Sequence, residues 1–128
     1  MMTADEAKAV LKKNADCSKK SLVYAMHERG RFSKKRFWEF YDCVITLAKD
    51  ALTNGRDIVT ARDITQVYQW ILKEMIWHFD KKDVSKLRKF PKNYTEYIER
   101  LDGAIDAFFR GVFTDEELYG LQRPNGNK

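Results

Sequence analysis

His78, Asp80 and Asp83 set an imidazole beside two carboxylates, a combination that can orient a general base or join a metal site. The same residues at a helix end also cap a turn or meet solvent, and the other histidine, His27, belongs to a different segment. Cys17 or Cys43 would act as a nucleophile only beside a base that draws off the thiol proton, and no base stands at a suitable spacing. Both read as reduced, buried or half-buried thiols. Nucleotide-binding glycine loops, the H-E-x-x-H pair and C-x-x-C are all missing from the chain. The expectation is a non-enzymatic protein with no catalytic residue, no metal site and no cofactor.

Binding chemistry is better represented. Arg29, Arg31, Lys34, Lys35 and Arg36 crowd around a glycine and the start of a helix, whose N-terminal amides also favour anions. A second basic group, Lys81, Lys82, Lys86, Arg88, Lys89 and Lys92, contains one acid, Asp83. Both groups suit phosphate contacts, and both also suit a solvated surface.

Two tryptophans complicate the helix that precedes the second group. Ile64, Val67, Tyr68, Ile71, Leu72, Met75, Ile76 and Phe79 recur at i, i+3, i+4, i+7 and form one apolar stripe. At about 100° per residue, Trp70 and Trp77 share a different face, beside Gln66 and Lys73. Two indoles among polar residues need a cover, from the chain itself or from a partner. With Lys81 four residues beyond Trp77, ring and charge together suit single-stranded nucleic acid or a nucleoprotein surface.

The elements that position these residues are helices. The chain has 128 residues, 44% of them hydrophobic and 13% aromatic, enough for one domain with a core and too few for two ordinary ones. Residues 1–92 carry 20 basic and 12 acidic side chains, a surplus of +8; residues 93–128 carry 4 and 7, a deficit of −3. A basic body with an acidic C-terminal helix lets that helix dock on the rest, or reserves one surface for an anionic partner. No segment nears the roughly 20 apolar residues of a membrane span. Around Asp5, Glu6 and Lys8 the N-terminus lacks the apolar run of a signal peptide, so a cytoplasmic location without membrane contact is expected.

Caps and periodicity predict the boundaries. Thr3 with Glu6 opens a short helix to about Lys13, and Ser18 caps a second to about Arg29, stopped by Gly30. Ser33 opens a long, central helix over about 34–53, ended by Asn54-Gly55. Its apolar set, from Phe37 through Leu52, covers about half the circumference. Thr60 with Asp63 caps a helix over 61–79, and a basic connector then leads to Phe90-Pro91. Asn93 with Glu96 opens a helix over 94–110, with Tyr94, Tyr97, Ile98, Leu101, Ile105, Phe108 and Phe109 inward and Glu99, Asp102 and Asp106 outward. Thr114 with Glu117 opens a last short helix through Leu121. The expected architecture is all-α: a compact bundle of about four main helices, with the Ser18 helix as fourth wall, plus short terminal helices. Residues 1–122 form one domain and 123–128 a flexible tail.

The run from Gly55 to Ile64 resembles the loop and third-helix start of histone folds, where a basic residue and Val-Thr precede an Ala-x-Asp turn. It spans ten residues, and the central helix is shorter and the following helix longer than the histone pattern, so no family is assigned. Two functions remain. One is a module that binds nucleic acid or a nucleoprotein, with the basic groups on phosphates and Trp70 or Trp77 as apolar anchors. The other is a small inhibitor or adaptor, of the phage, mobile-element or immunity type, that blocks a host enzyme by direct protein binding. Homo-oligomerisation through the tryptophan face accompanies either.

Overall fold

A computed structural model describes residues 2–82 and 86–124, and within them the chain is all-α. Five helices succeed one another: α1 (Ala4–Ala15), α2 (Leu22–His27), α3 (Lys34–Asn54), α4 (Ile58–Phe79) and α5 (Tyr94–Arg110), with a 3-10 turn at Glu116–Leu118. No helix among the described residues is long and apolar enough to cross a membrane.

Local chemistry explains most ends. At α1, Thr3 Oγ1 accepts the Glu6 N–H (3.1 Å) while Glu6 Oε1 accepts the Thr3 N–H (2.8 Å), the reciprocal box expected from the sequence. Ser33 caps α3, and Gly55 ends it at φ 83°, in the left-handed region that glycine enters at little cost. Gly111 closes α5 in the same way, at φ 70°.

At α5 Asn93 stands at the N-cap as expected, but its side chain donates to the Glu96 carboxylate (3.0 Å) and makes no cap bond to the helix backbone. Three other caps fall on a different residue from the one expected. Ser21, not Ser18, caps α2: its hydroxyl accepts the Tyr24 N–H and donates to the Ser18 carbonyl, and Cys17 and Lys20 turn the chain with positive φ. Asp57, not Thr60, caps α4, because a carboxylate is the stronger acceptor; it takes both the Thr60 N–H and hydroxyl at 3.0 Å. Asp115, not Thr114, accepts from Glu117, and the residues after it form a single 3-10 turn instead of an α-helix.

Packing also redistributes roles. α3 is central as expected, with Phe37, Trp38, Phe40, Tyr41, Cys43, Val44, Leu47, Ala48 and Ala51 buried. It packs mainly on α1 and α5, while α4 packs mainly on α1 and α2. Thus α1, expected to be a minor terminal helix, is the fourth wall, and the six-residue α2 is an accessory. α4 and α5 run antiparallel, with Ile58 near Phe109 at one end and Phe79 packed 4.9 Å from Tyr94 at the other. Between them the Tyr68 hydroxyl bonds Asp102. The centre of the α4 stripe is buried at Ile64, Val67, Ile71 and Met75, but Ile76 (66% exposed) and Phe79 remain in solvent, as do Leu52 of α3 and Phe109 of α5. The stripes are wider than the surfaces that cover them.

The acidic half of the chain docks through a buried cation. Arg100 is fully buried on α5, with its guanidinium 4.3 Å from the Tyr119 ring centre and bonded to Tyr41 Oη (3.0 Å) and the Leu121 carbonyl (2.9 Å). Glu116 pairs with it at 3.2 Å. Arg123, placed by sequence in the tail, pairs with Glu116 and Asp42 at 2.6 Å. The segment after α5 is therefore held down as far as Arg123; residues 125–128 lie outside the described residues.

A candidate anion-binding groove

Two segments far apart in sequence meet in a short parallel bridge. Phe32 N–H donates to the Arg88 carbonyl (2.9 Å), and Arg88 N–H donates to the Gly30 carbonyl (2.8 Å). A further bond runs from Arg88 Nη2 to the Arg29 carbonyl (2.9 Å). Phe32 anchors the bridge: it is 1% exposed and meets Phe90 and Tyr97 edge-on at 6.1 and 5.3 Å. Burying such a ring stabilises by about 1.5–3 kcal/mol, enough to fix a loop that few other contacts hold.

This bridge brings members of both basic groups of the sequence onto one concavity of about 610 Å³. Arg29, Arg31 and Arg36 line one part, and Arg88 and Lys89 line another. Lys19 and Lys20, which sequence reasoning passed over, complete the wall from the turn before α2, and Ser21, Tyr24, Ala25 and Ser33 fill the remainder. No carboxylate among the described residues lines it. Among the described residues, only Arg36 of these seven cations has an acidic partner, Glu39 at 3.2 Å. Two of the lysines, Lys20 (φ 67°) and Lys89 (φ 58°), hold left-handed backbone that side-chain-bearing residues seldom adopt. Like charges that share a wall repel, by about 0.5 kcal/mol for two unit charges about 8 Å apart in bulk water. An anion in the groove reverses the sign of that contribution.

The other basic residues stand elsewhere. Lys34 and Lys35 are exposed on the first turn of α3 but do not line the groove. Lys86 Nζ caps the end of α4, donating to the carbonyls of His78 (2.8 Å) and Asp80 (2.7 Å). Lys73 is exposed on α4, and Lys81 and Lys82 on the turn after it.

The tryptophans separate. Trp70 is half-buried, its indole edge-on to His27 at 5.3 Å and its Nε1–H donating to the buried Glu74 carboxylate at 3.2 Å. Glu74 also bonds His27 Nδ1 at 2.9 Å, so Trp70 belongs to an internal polar cluster joining α4 to α2. Part of its cover therefore comes from within the chain. Trp77 stays 37% exposed beside Ile76.

Of the remaining chemical candidates, His78 and Cys43 each hydrogen-bond to backbone. His78 Nδ1 accepts the Leu87 N–H at 2.8 Å, and the ring stacks on Phe90 at 4.3 Å. Desolvation, and then the Lys86 charge, lower its pKa from the ordinary 6.5. Its sequence neighbour Asp83 lies outside the described residues. Cys43 is buried with Sγ donating to the Ala7 carbonyl (3.2 Å), and burial pushes its thiol well above the ordinary range. Burial, with Glu28 and Glu74 nearby, raises Cys17 as well. Neither thiol gains the thiolate character a nucleophile needs. Among the described residues, no three His, Cys, Asp or Glu side chains gather as a metal site. Comparison with protein-family models, with curated proteins and with solved structures finds no match to this chain, so the chemistry of the groove itself must carry the functional reading.

Proposed function

We propose that the protein is a non-enzymatic helical module that binds nucleic acid, with the groove between α2, the 29–33 segment and Arg88-Lys89 as its phosphate-contacting surface. One observation carries this reading: seven basic side chains from three separate stretches converge on one concavity with no acid among the described residues of its wall. Solvated lysines scattered over a surface need no such convergence. Long-range attraction steers the polyanion, and counterion release supplies much of the affinity. Titration of labelled oligonucleotides across a salt series tests it, since phosphate contacts give an affinity that falls steeply as salt rises.

A second reading, an inhibitor or adaptor that binds a protein, draws support from a different place. Ile58 (81% exposed) and Phe109 lie side by side at one end of the α4–α5 pair, and Ile76, Trp77 and Phe79 are exposed near the other. Exposed apolar side chains of this size are common at protein interfaces. On this reading, substitutions at Ile58 and Phe109 abolish partner binding while groove substitutions leave it intact.

A further inference from the structure

We infer that the groove takes a single strand in preference to a duplex, with Tyr24 as the platform on which one base stacks. The inference rests on the groove being a phosphate-contacting surface. Its shape gives the first reason. A duplex is a convex rod, read by elements that protrude into its grooves. Here the cations line a concavity of about 610 Å³, with room for an extended strand to lie inside it, rather than a protruding element.

Tyr24 gives the second reason. Among the described residues it is the one aromatic in the wall, half-buried on α2, and it shares that wall with Lys20 and Arg29. Its backbone is fixed by the Ser21 cap and by the Glu28 N–H bond to its carbonyl (2.8 Å), so α2 offers the ring on a rigid support. An aromatic ring in a wall of cations is the combination by which sequence-tolerant single-strand binders hold a base and its neighbouring phosphates.

The polar groups of the wall also predict weak sequence preference. Ser21 and Ser33 are engaged as helix caps, and among the described residues no carboxamide or carboxylate side chain lines the groove to read a base edge. What remains is charge for phosphates and one ring for a base face.

The test compares three probes on the unaltered protein at about 50 mM salt: an oligothymidylate of about ten nucleotides, the same strand with abasic sugars, and a duplex of equal length. Oligothymidylate is expected to bind about tenfold tighter than either of the others. Tyr24→Ala should bring oligothymidylate down to the abasic level, Tyr24→Phe should restore the difference, and abasic binding should stay the same in both. Equal binding of oligothymidylate and the abasic strand, or tighter binding of the duplex, would overturn the inference while leaving the phosphate surface standing. Failure of all three probes to bind would overturn the phosphate surface and the inference with it. The probe comparison needs no variant, so a Tyr24→Ala protein that fails to fold does not remove the test.

Discussion

Arg31 and Arg88 are held side by side by backbone, with Phe32 N–H on the Arg88 carbonyl and Arg88 N–H on the Gly30 carbonyl. Their side chains are thus free of the bonds that place them, apart from the single Arg88 contact to the Arg29 carbonyl. Like charges brought together by main-chain geometry, with no acid among the described residues of the surrounding wall, distinguish this groove from the basic surface around it. Substituting Arg31 therefore changes charge without removing a bridge bond.

The two tryptophans should respond oppositely to substitution. Trp70→Phe loses the indole N–H bond to buried Glu74 and leaves that carboxylate with His27 alone, a cost of about 1–2 kcal/mol. Trp77→Phe, at an exposed position, should cost less than about 0.5 kcal/mol. Urea denaturation of both variants measures the contrast; equal costs would mean that the Glu74 cluster contributes nothing.

Gly103 on α5 leaves room for the Tyr119 ring. A Cβ there would sit 2.8 Å from Tyr119 Cζ and overlap its hydroxyl, displacing a ring that lies over the buried Arg100 guanidinium. Gly103→Ala should destabilise by about 1–3 kcal/mol. In a Tyr119→Ala background the same change should cost much less, because the ring that clashes is gone. Equal costs in the two backgrounds, by thermal denaturation, would show that Tyr119 is not the element displaced.

His78 should make the connector pH-sensitive. Its folded pKa is lowered from 6.5, so the neutral ring that accepts the Leu87 N–H is the form the fold favours. The associated stability is fully present above the unfolded value of 6.5 and is lost as pH falls through the lower folded value. NMR titration of the His78 ring, with hydrogen exchange at Leu87, should show the proton taken up below 6.5 and Leu87 protection falling with it. A folded value above 6.5 would contradict this arrangement.

Much of the fold is legible in the sequence, because caps and apolar period are local signals. Thr3 with Glu6, Ser33, Gly55 and Gly111 mark their ends as expected. Boundaries shift where two capping residues compete: Ser18 against Ser21, and Thr60 against Asp57, where the better placed or stronger acceptor wins. Periodicity identifies the α4 stripe but not how much of it a neighbour covers, so Ile76 and Phe79 are exposed although they share the inward spacing. The groove is half legible. Arg29, Arg31 and Arg36 cluster along the chain, but their union with Lys19, Lys20, Arg88 and Lys89 depends on a backbone bridge that no local pattern announces. Arg100 is illegible for a similar reason: on a helix with an acidic outer face it reads as a surface cation, and only the returning segment with Glu116, Tyr119 and Leu121 reveals it as buried.

The most direct test of the account is the salt dependence of single-stranded oligonucleotide binding by the unaltered protein and by the Arg31→Glu, Lys89→Glu double variant. If about four phosphates are neutralised in the groove, log affinity should fall with log salt at a slope of about −3, roughly a fiftyfold loss between 50 and 200 mM. The double variant, with circular dichroism confirming its helices, should bind at least tenfold more weakly and with a visibly shallower slope. Unchanged affinity and slope in a folded double variant would contradict the account, because the oligonucleotide would then be held somewhere other than this groove.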